Sequence, residues 1–296
     1  MKYFTLSGSE VQISTIGLGC MSLPEDFGQS KEIINACLDE GINFLDTADL
    51  YQNGKNEEMI GKAIKDKRGK VFLATKVGNQ MRPDGSGWDW NPKKSYILEA
   101  VDKSLKRLQT DYIDLYQLHG GTIEDPWEET LDAFEILKSQ GKIRSFGISS
   151  IRPNVIRKVL SDSNPATIMM QYSPLDRRPE EEAFSLISDT STKVLVRGSF
   201  AKGILINKPE VDYLDKSKSE VQAIKRAIQE SGYFPEAFLI KFGLIQTAVG
   251  ALIIGASSVS QVKKMTKGFE ENLSIPDQVI REFKENFSPN YYQQHR

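Results

Sequence analysis

Four residues stand at or just beyond the ends of apolar segments: Asp46 in NFLDT, Tyr51 in the DLYQNG that follows, Lys76 in VFLATK and His119 in DLYQLH. An acid, a phenol, an amine and an imidazole gathered in one pocket can move a proton. A free phenol, with a pKa of ~10, is a poor proton donor at neutral pH, but an adjacent ammonium favours the phenolate. At about 4 Å and an effective dielectric near 20 such a pair interacts by roughly 4 kcal/mol, enough to move the phenol by ~3 units before desolvation and competing partners reduce the effect. On this reading Asp46 holds Lys76 charged and aimed, and His119 donates a hydrogen bond that orients a substrate oxygen. The group would protonate an oxygen gaining negative charge, as a carbonyl oxygen does when hydride reaches its carbon; general-acid assistance is typically worth ~10² to 10⁴ in rate. No side chain can donate hydride, so a nicotinamide cofactor would have to carry it.

Singly, each residue has a plainer explanation. A lysine ending a strand is ordinarily solvated or ion-paired, Asp46 could cap a turn, Tyr51 could pack at a rim, and His119 could be a structural histidine. Their joint occurrence at successive strand ends carries the chemical reading, and it needs a fold that brings those ends together. Short β-branched runs alternate with amphipathic helical stretches throughout, the pattern of a parallel sheet covered by helices. Strands are expected near residues 15, 43, 71, 112, 144, 167, 193 and 252. Eight such units predict an α/β (β/α)8 TIM barrel, one domain over residues 1–296, with its chemistry at the C-terminal strand ends. Residues 3–13 read as an N-terminal β-hairpin, turned by SGSE and laid across the barrel bottom. The helix near SEVQAIKRAIQE is expected to cover the barrel, and segments 235–246 and 276–287 to be extra C-terminal helices outside the eight-fold count.

The bulk numbers narrow the partners. Thirty-eight basic residues against 40 acidic ones leave a formal charge of −2 with no long like-charge run, which argues against a nucleic-acid or membrane-surface partner. No apolar run approaches the roughly 20 residues that span a bilayer, and MKYFTLSGSE lacks a signal-peptide core, so a cytoplasmic protein is expected, monomeric or weakly oligomeric. Cys20 and Cys37 are the only cysteines and form no C-x-x-C pair, which offers neither a disulfide framework nor a thiolate cage. With only His119 and His295 as histidines, a multi-histidine zinc site is out of reach, and no metal is expected. GLGCMS lacks a third glycine and meets Pro24 where a helix should open, so it is not a dinucleotide loop of the Rossmann kind.

DTADLYQNGKNEEMIGKAI, FLATK, DYIDLYQLH, FGISS and IIGAS, in that order, resemble the aldo-keto reductases over nearly the whole chain. The resemblance implies a tetrad of Asp46, Tyr51, Lys76 and His119 and NADPH-dependent reduction of small aldehydes and ketones with tyrosine as the acid. A different class is an NADPH-binding regulatory subunit that keeps the tetrad; a third is a Schiff-base aldolase using Lys76. The implied cofactor track starts at Gly19, Cys20 and Met21, passes Asp46, and reaches Ser149 and Ser150, where the family has serine then asparagine. Met169 replaces a common glutamine, with Gln171 on the same face. Arg197 stands where the family stacks a tyrosine on the nicotinamide, so its guanidinium is expected to cover the ring and favour the uncharged reduced cofactor. Gly198, Ser199, Phe200 and Lys202 would meet the pyrophosphate. Gly255, Ser257 and Gln261 would hold the adenosine 2′-phosphate at a helix N-terminus, with Lys264 nearby and Met265 in place of an adenine-binding asparagine, which points to NADPH. Trp88 and Trp90, with Met21, Tyr51 and His119, would line the substrate pocket.

Overall fold

The computed structural model describes residues 1–6 and 11–296. Tyr3–Phe4 (β1) pairs antiparallel with Ile13–Ser14 (β2); the SGSE turn expected between them lies outside the described residues. Ile16–Gly19 (β3), Phe44–Asp46 (β4) and Phe72–Val77 (β5) follow, then a small antiparallel hairpin of Asn79–Met81 (β6) and Trp88–Trp90 (β7). Ile113–Leu118 (β8), Ile143–Ser149 (β9), Thr167–Gln171 (β10), Lys193–Arg197 (β11) and Val249–Gly255 (β12) complete the set. Eight of these strands, β3, β4, β5, β8, β9, β10, β11 and β12, close into a parallel barrel. This is the (β/α)8 architecture that the alternation of strands and helices predicts.

Strand alternation points every second side chain inward. Phe44, Phe72, Leu115, Leu195, Ala251 and Ile253 form one buried inner cluster, with the Phe44 and Phe72 rings edge to face at 5.1 Å. Leu6, Ile13 and Phe4 join that cluster from the N-terminal strand ends, so the hairpin does close the barrel bottom. The lower barrel is thus filled largely by apolar side chains. The pairing sets Gly255, Gly19 and Asp46 side by side on β12, β3 and β4, and Lys76 beside Gln117 on β5 and β8.

The helices are Phe27–Asp39 (α1), Lys55–Ile64 (α2), Lys94–Leu108 (α3), Trp127–Ser139 (α4), Pro153–Asp162 (α5), Ala183–Ser188 (α6), Lys218–Glu230 (α7), Pro235–Leu244 (α8), Val259–Glu271 (α9) and Asp277–Asn286 (α10). Two of them stand between β11 and β12, and their roles are the reverse of the expectation. The helix seated on the barrel is α8, with Ala237, Phe238, Leu239, Ile240 and Phe242 all buried. A Cβ on Gly243 would come within 2.7 Å of the Leu252 side chain, which shows how closely α8 lies on β12. The amphipathic α7, started by a Ser217–Glu220 capping box, is the added helix. As expected, α10 is an addition too: Phe283 packs on Phe238 and Phe242, at ring distances of 5.0 and 6.0 Å. Among the described residues no helix is long and apolar enough to cross a membrane, and no His, Cys, Asp and Glu cluster could hold a metal ion.

Candidate active site

Lys76 is buried on β5, and its Nζ donates to Asp46 Oδ2 at 2.6 Å and to the Thr47 carbonyl at 2.7 Å. Burial alone would pull this lysine down; attraction to Asp46 and then to Tyr51 outweighs it and raises the ammonium above the ordinary lysine value. Burial pushes the Asp46 carboxyl up, opposed by Lys76, by a 3.3 Å hydrogen bond from Gln117 Nε2, and by the charge of Arg197. The pair is an ammonium and a carboxylate. Lys76 Nζ lies 5.3 Å from the Tyr51 ring centre, and the Tyr51 and His119 rings meet edge to face at 5.9 Å. All four expected residues therefore share one place at the barrel top.

His119, unlike Lys76, has no acid beside it. Its backbone N–H donates to the Val77 carbonyl at 2.8 Å, which ties the β8 end to β5, while Nδ1 is buried with no protein partner. Burial, reinforced by the positive charges of Lys76 and Arg197, lowers its pKa to about 3. A neutral imidazole follows at any ordinary pH.

The loop carrying Tyr51 is held by conformation and by contacts. Gln52, Asn53 and Gly54 have φ of 52°, 55° and 84°, three left-handed residues in succession before α2. Non-glycine residues adopt that region reluctantly, so surroundings must impose it. Asn56 accepts from Thr47 Oγ1 at 2.7 Å and donates to the Cys20 carbonyl at 2.9 Å, joining the loops after β3 and β4. Glu57, fully buried, accepts from Thr75 Oγ1 at 2.6 Å and from Arg107 Nε at 2.7 Å, which anchors the residue next to Lys76.

The residues of the expected cofactor track fall on adjoining strands, β4, β3, β12, β11, β10 and β9. Gly19 and Gly255 are register partners, and Ser149 pairs with Met169. Gly198 has φ 72°, Lys202 φ 57° and Gly203 φ 90°, giving the chain after β11 a tight turn. Within it Ser199 Oγ is buried and unpartnered, an orphan that suits a ligand acceptor. At the start of α9, Ser258 caps the helix while Ser257 N donates to Gln261 Oε1 at 2.7 Å. Ser150 is buried and accepts from the Arg152 amide. Phe200 is half-buried and Lys264 exposed. Three residues sit differently from a simple side-chain contact. Cys20 has its side chain wholly in the core, where burial raises its thiol well above the usual range, so only its backbone can face a ligand. Met169 is buried below Gln171, and Met265 is buried in the outer core. The orphaned Ser199 oxygen and the glycines at the mouth together fit a nicotinamide dinucleotide.

Of the expected pocket residues, Trp90 is placed most tightly. A Cβ on Gly78 would meet its ring at 2.6 Å and one on Gly120, next to His119, at 3.3 Å; its Nε1 donates to Asp125 at 3.0 Å. Trp88 and Met21 are 46% and 66% exposed. Gln117, Asn56 and Asp125 escaped the sequence reading. Gln117 had a signal, since it lies two residues before His119 on the same strand and so faces inward; the other two had none.

Residues 15–285 match the model of the aldo/keto reductase family. The chain belongs to that family. It is 42% identical to the uncharacterized oxidoreductase YqkF of Bacillus subtilis, over the whole of both chains. It is 34% identical to the aldo-keto reductase yakc [NADP(+)] of Schizosaccharomyces pombe, over 65% of this chain and 60% of that protein. Among solved structures, the holo form of aldo-keto reductase AKR11C1 from Bacillus halodurans superposes with a TM-score of 0.91 at 45% identity, covering 100% of this chain and 99% of that one. This aldo/keto reductase is thus an NAD(P)H-dependent oxidoreductase of carbonyl groups.

Proposed function

We propose that the protein reduces small aldehydes and ketones to alcohols with NADPH, and that Tyr51 supplies the proton. The supporting observation is the buried Asp46–Lys76 pair at 2.6 Å with its ammonium 5.3 Å from the Tyr51 ring centre. Bound NADPH supplies the hydride. The chain's own residues do the rest. Neutral His119 donates one hydrogen bond to the substrate oxygen without competing as an acid, which leaves Tyr51 as the proton donor. Lys76, fixed by Asp46 and the Thr47 carbonyl, stabilises the phenolate that proton transfer leaves behind. Ser149, Ser150 and Ser199 would hold the cofactor's polar edges, Arg197 would cover its nicotinamide face, and Ser257, Gln261 and Lys264 at the start of α9 would take the 2′-phosphate. The NADP(+) in the name of the yeast relative supports that preference. A Schiff-base role for Lys76 is opposed by its raised pKa, since an imine-forming amine must be neutral.

The test is Tyr51→Phe. Turnover of a nitrobenzaldehyde with NADPH should fall by ~10² to 10⁴, with cofactor affinity by fluorescence titration retained. A variant that turns over at the wild-type rate would show that another group is the acid.

A further inference from the structure

Arg197 ends β11 exposed at the barrel mouth, yet it is not free to wander. Its Nη1 donates at 2.9 Å to Oε1 of Gln171, its register partner on β10. The Gln171 amide nitrogen points the other way, donating to Asp176 Oδ2 at 2.8 Å and to the Tyr213 hydroxyl at 3.2 Å. Asp176 is fully buried, and Arg178 grips it in bidentate fashion through Nε and Nη2, both at 2.7 Å. Reciprocal backbone bonds between Ser173 and Asp176, at 3.1 and 3.0 Å, lock the turn that carries it.

Read as donors and acceptors, this row has one self-consistent arrangement. A guanidinium only donates and a carboxylate only accepts, whereas an amide does one at each end. With Asp176 on one side and Arg197 on the other, the Gln171 amide can lie only one way round; flipped, it would set N–H against guanidinium and oxygen against carboxylate.

We propose that Asp176 is a positioning residue for the cofactor: through Gln171 it fixes the Arg197 guanidinium at the mouth. The inference rests on the reading above that Arg197 covers the nicotinamide. It adds that the selectivity of Arg197 for the reduced cofactor is set two residues away, by a carboxylate that touches neither cofactor nor substrate. The charge of Arg197 reaches Asp46 and His119, which agrees with a guanidinium held toward the tetrad.

The experiment compares NADPH and NADP+ dissociation constants by fluorescence titration. Arg197→Ala should lower the preference for the reduced form by roughly tenfold, the worth of one charge-assisted contact. Asp176→Asn should lower it equally. Arg178 will claim the asparagine oxygen, so its NH2 faces Gln171 and flips that amide against Arg197. The double variant Gln171→Glu/Asp176→Asn restores donor to acceptor along the whole row and should recover the wild-type ratio, a rescue that a merely structural Asp176 would not give. Gln171→Leu, which leaves the Asp176–Arg178 pair intact, should match Arg197→Ala even if Asp176→Asn does not fold. A wild-type ratio in Asp176→Asn or Gln171→Leu, with Arg197→Ala still altered, overturns the positioning role alone. An unchanged ratio in Arg197→Ala overturns the nicotinamide cover and the positioning role with it.

Discussion

Protonating His119 should be one of the more costly acts for this fold as pH falls. The imidazole starts from an ordinary value of 6.5 and is lowered to about 3, by burial first and then by Lys76 and Arg197. An unfolded chain takes up the proton near pH 6.5, while the native site refuses it until about pH 3, so the unfolded state binds more protons throughout that window. The native state is therefore progressively disfavoured as pH drops, by about 1.4 kcal/mol per unit and so by roughly 2 kcal/mol between pH 6.5 and pH 5. His119→Gln keeps a neutral polar side chain and removes the titration. Urea unfolding of both proteins at pH 7.5 and pH 5 should then show a wild-type loss about 2 kcal/mol larger than the variant's. The ionisation itself is directly visible, because His119 and His295 are the only histidines. In a His295→Gln protein the one remaining imidazole signal in an NMR titration should keep its neutral shift down to pH 4.5. A midpoint near 6 would refute both the burial and the charge argument.

Asp49, which follows the tetrad aspartate by three residues, has a buried and unpartnered Oδ1 and a pKa raised to about 8 by burial and by the nearby Glu57, against the opposing charges of Arg107 and Lys76. A raised carboxyl keeps its proton in the native state from about pH 4 to 8, so stability falls as pH rises through that range. The full shift sets a ceiling of about 5 to 6 kcal/mol, which relaxation reduces. Asp49→Asn should be more stable than wild type by ~1 to 3 kcal/mol at pH 8.5 and equal to it at pH 4, and equal urea midpoints at both pH values would contradict this. Gly54→Ala puts a Cβ at φ 84° and within 2.8 Å of Arg107 Cδ. It should lose ~1 to 3 kcal/mol in thermal unfolding and, by moving the Tyr51 loop, lower turnover; an unchanged melting temperature would mean the turn is not under constraint.

The barrel was legible because buried parallel strands are written as short β-branched runs closed by glycine or polar residues, and seven of the eight begin within one residue of expectation. The eighth begins at Val249, three residues early, because the pairing with β11 shifts register between Val194 and Leu195 and leaves Gly250 as an irregularity that residue pattern does not reveal. The exchange of roles between α7 and α8 has a clear cause. A helix that is apolar on nearly every side belongs in a core, yet α8 lacks the two-faced periodicity by which barrel helices are recognised, while α7 has it on the surface. The β6–β7 hairpin was hidden in QMRPDGSGWDWNP, where glycines and charges outnumber strand formers. The tetrad was readable because Asp46, Lys76 and His119 lie at strand ends and Tyr51 follows in the next loop. Its supporting shell was not, since Asn56, Asp125 and Asp176 choose their partners only once loops distant in sequence have met.

What sorts the ionisable groups at the barrel mouth is the company each one keeps. Lys76 and His119 are both basic groups removed from water, and burial alone would neutralise both. Lys76 stays charged because Asp46 lies 2.6 Å away; His119, lacking any such partner, meets only the positive fields of Lys76 and Arg197 and stays neutral. One carboxylate thereby fixes two protonation states: directly as the counterion of Lys76, and indirectly because the cation it retains helps keep the proton off His119. Removing that carboxylate would do more than loosen a salt bridge. It would leave two bases and no anion beside the phenol, and the division of labour among cation, acid and neutral donor would be lost in one step.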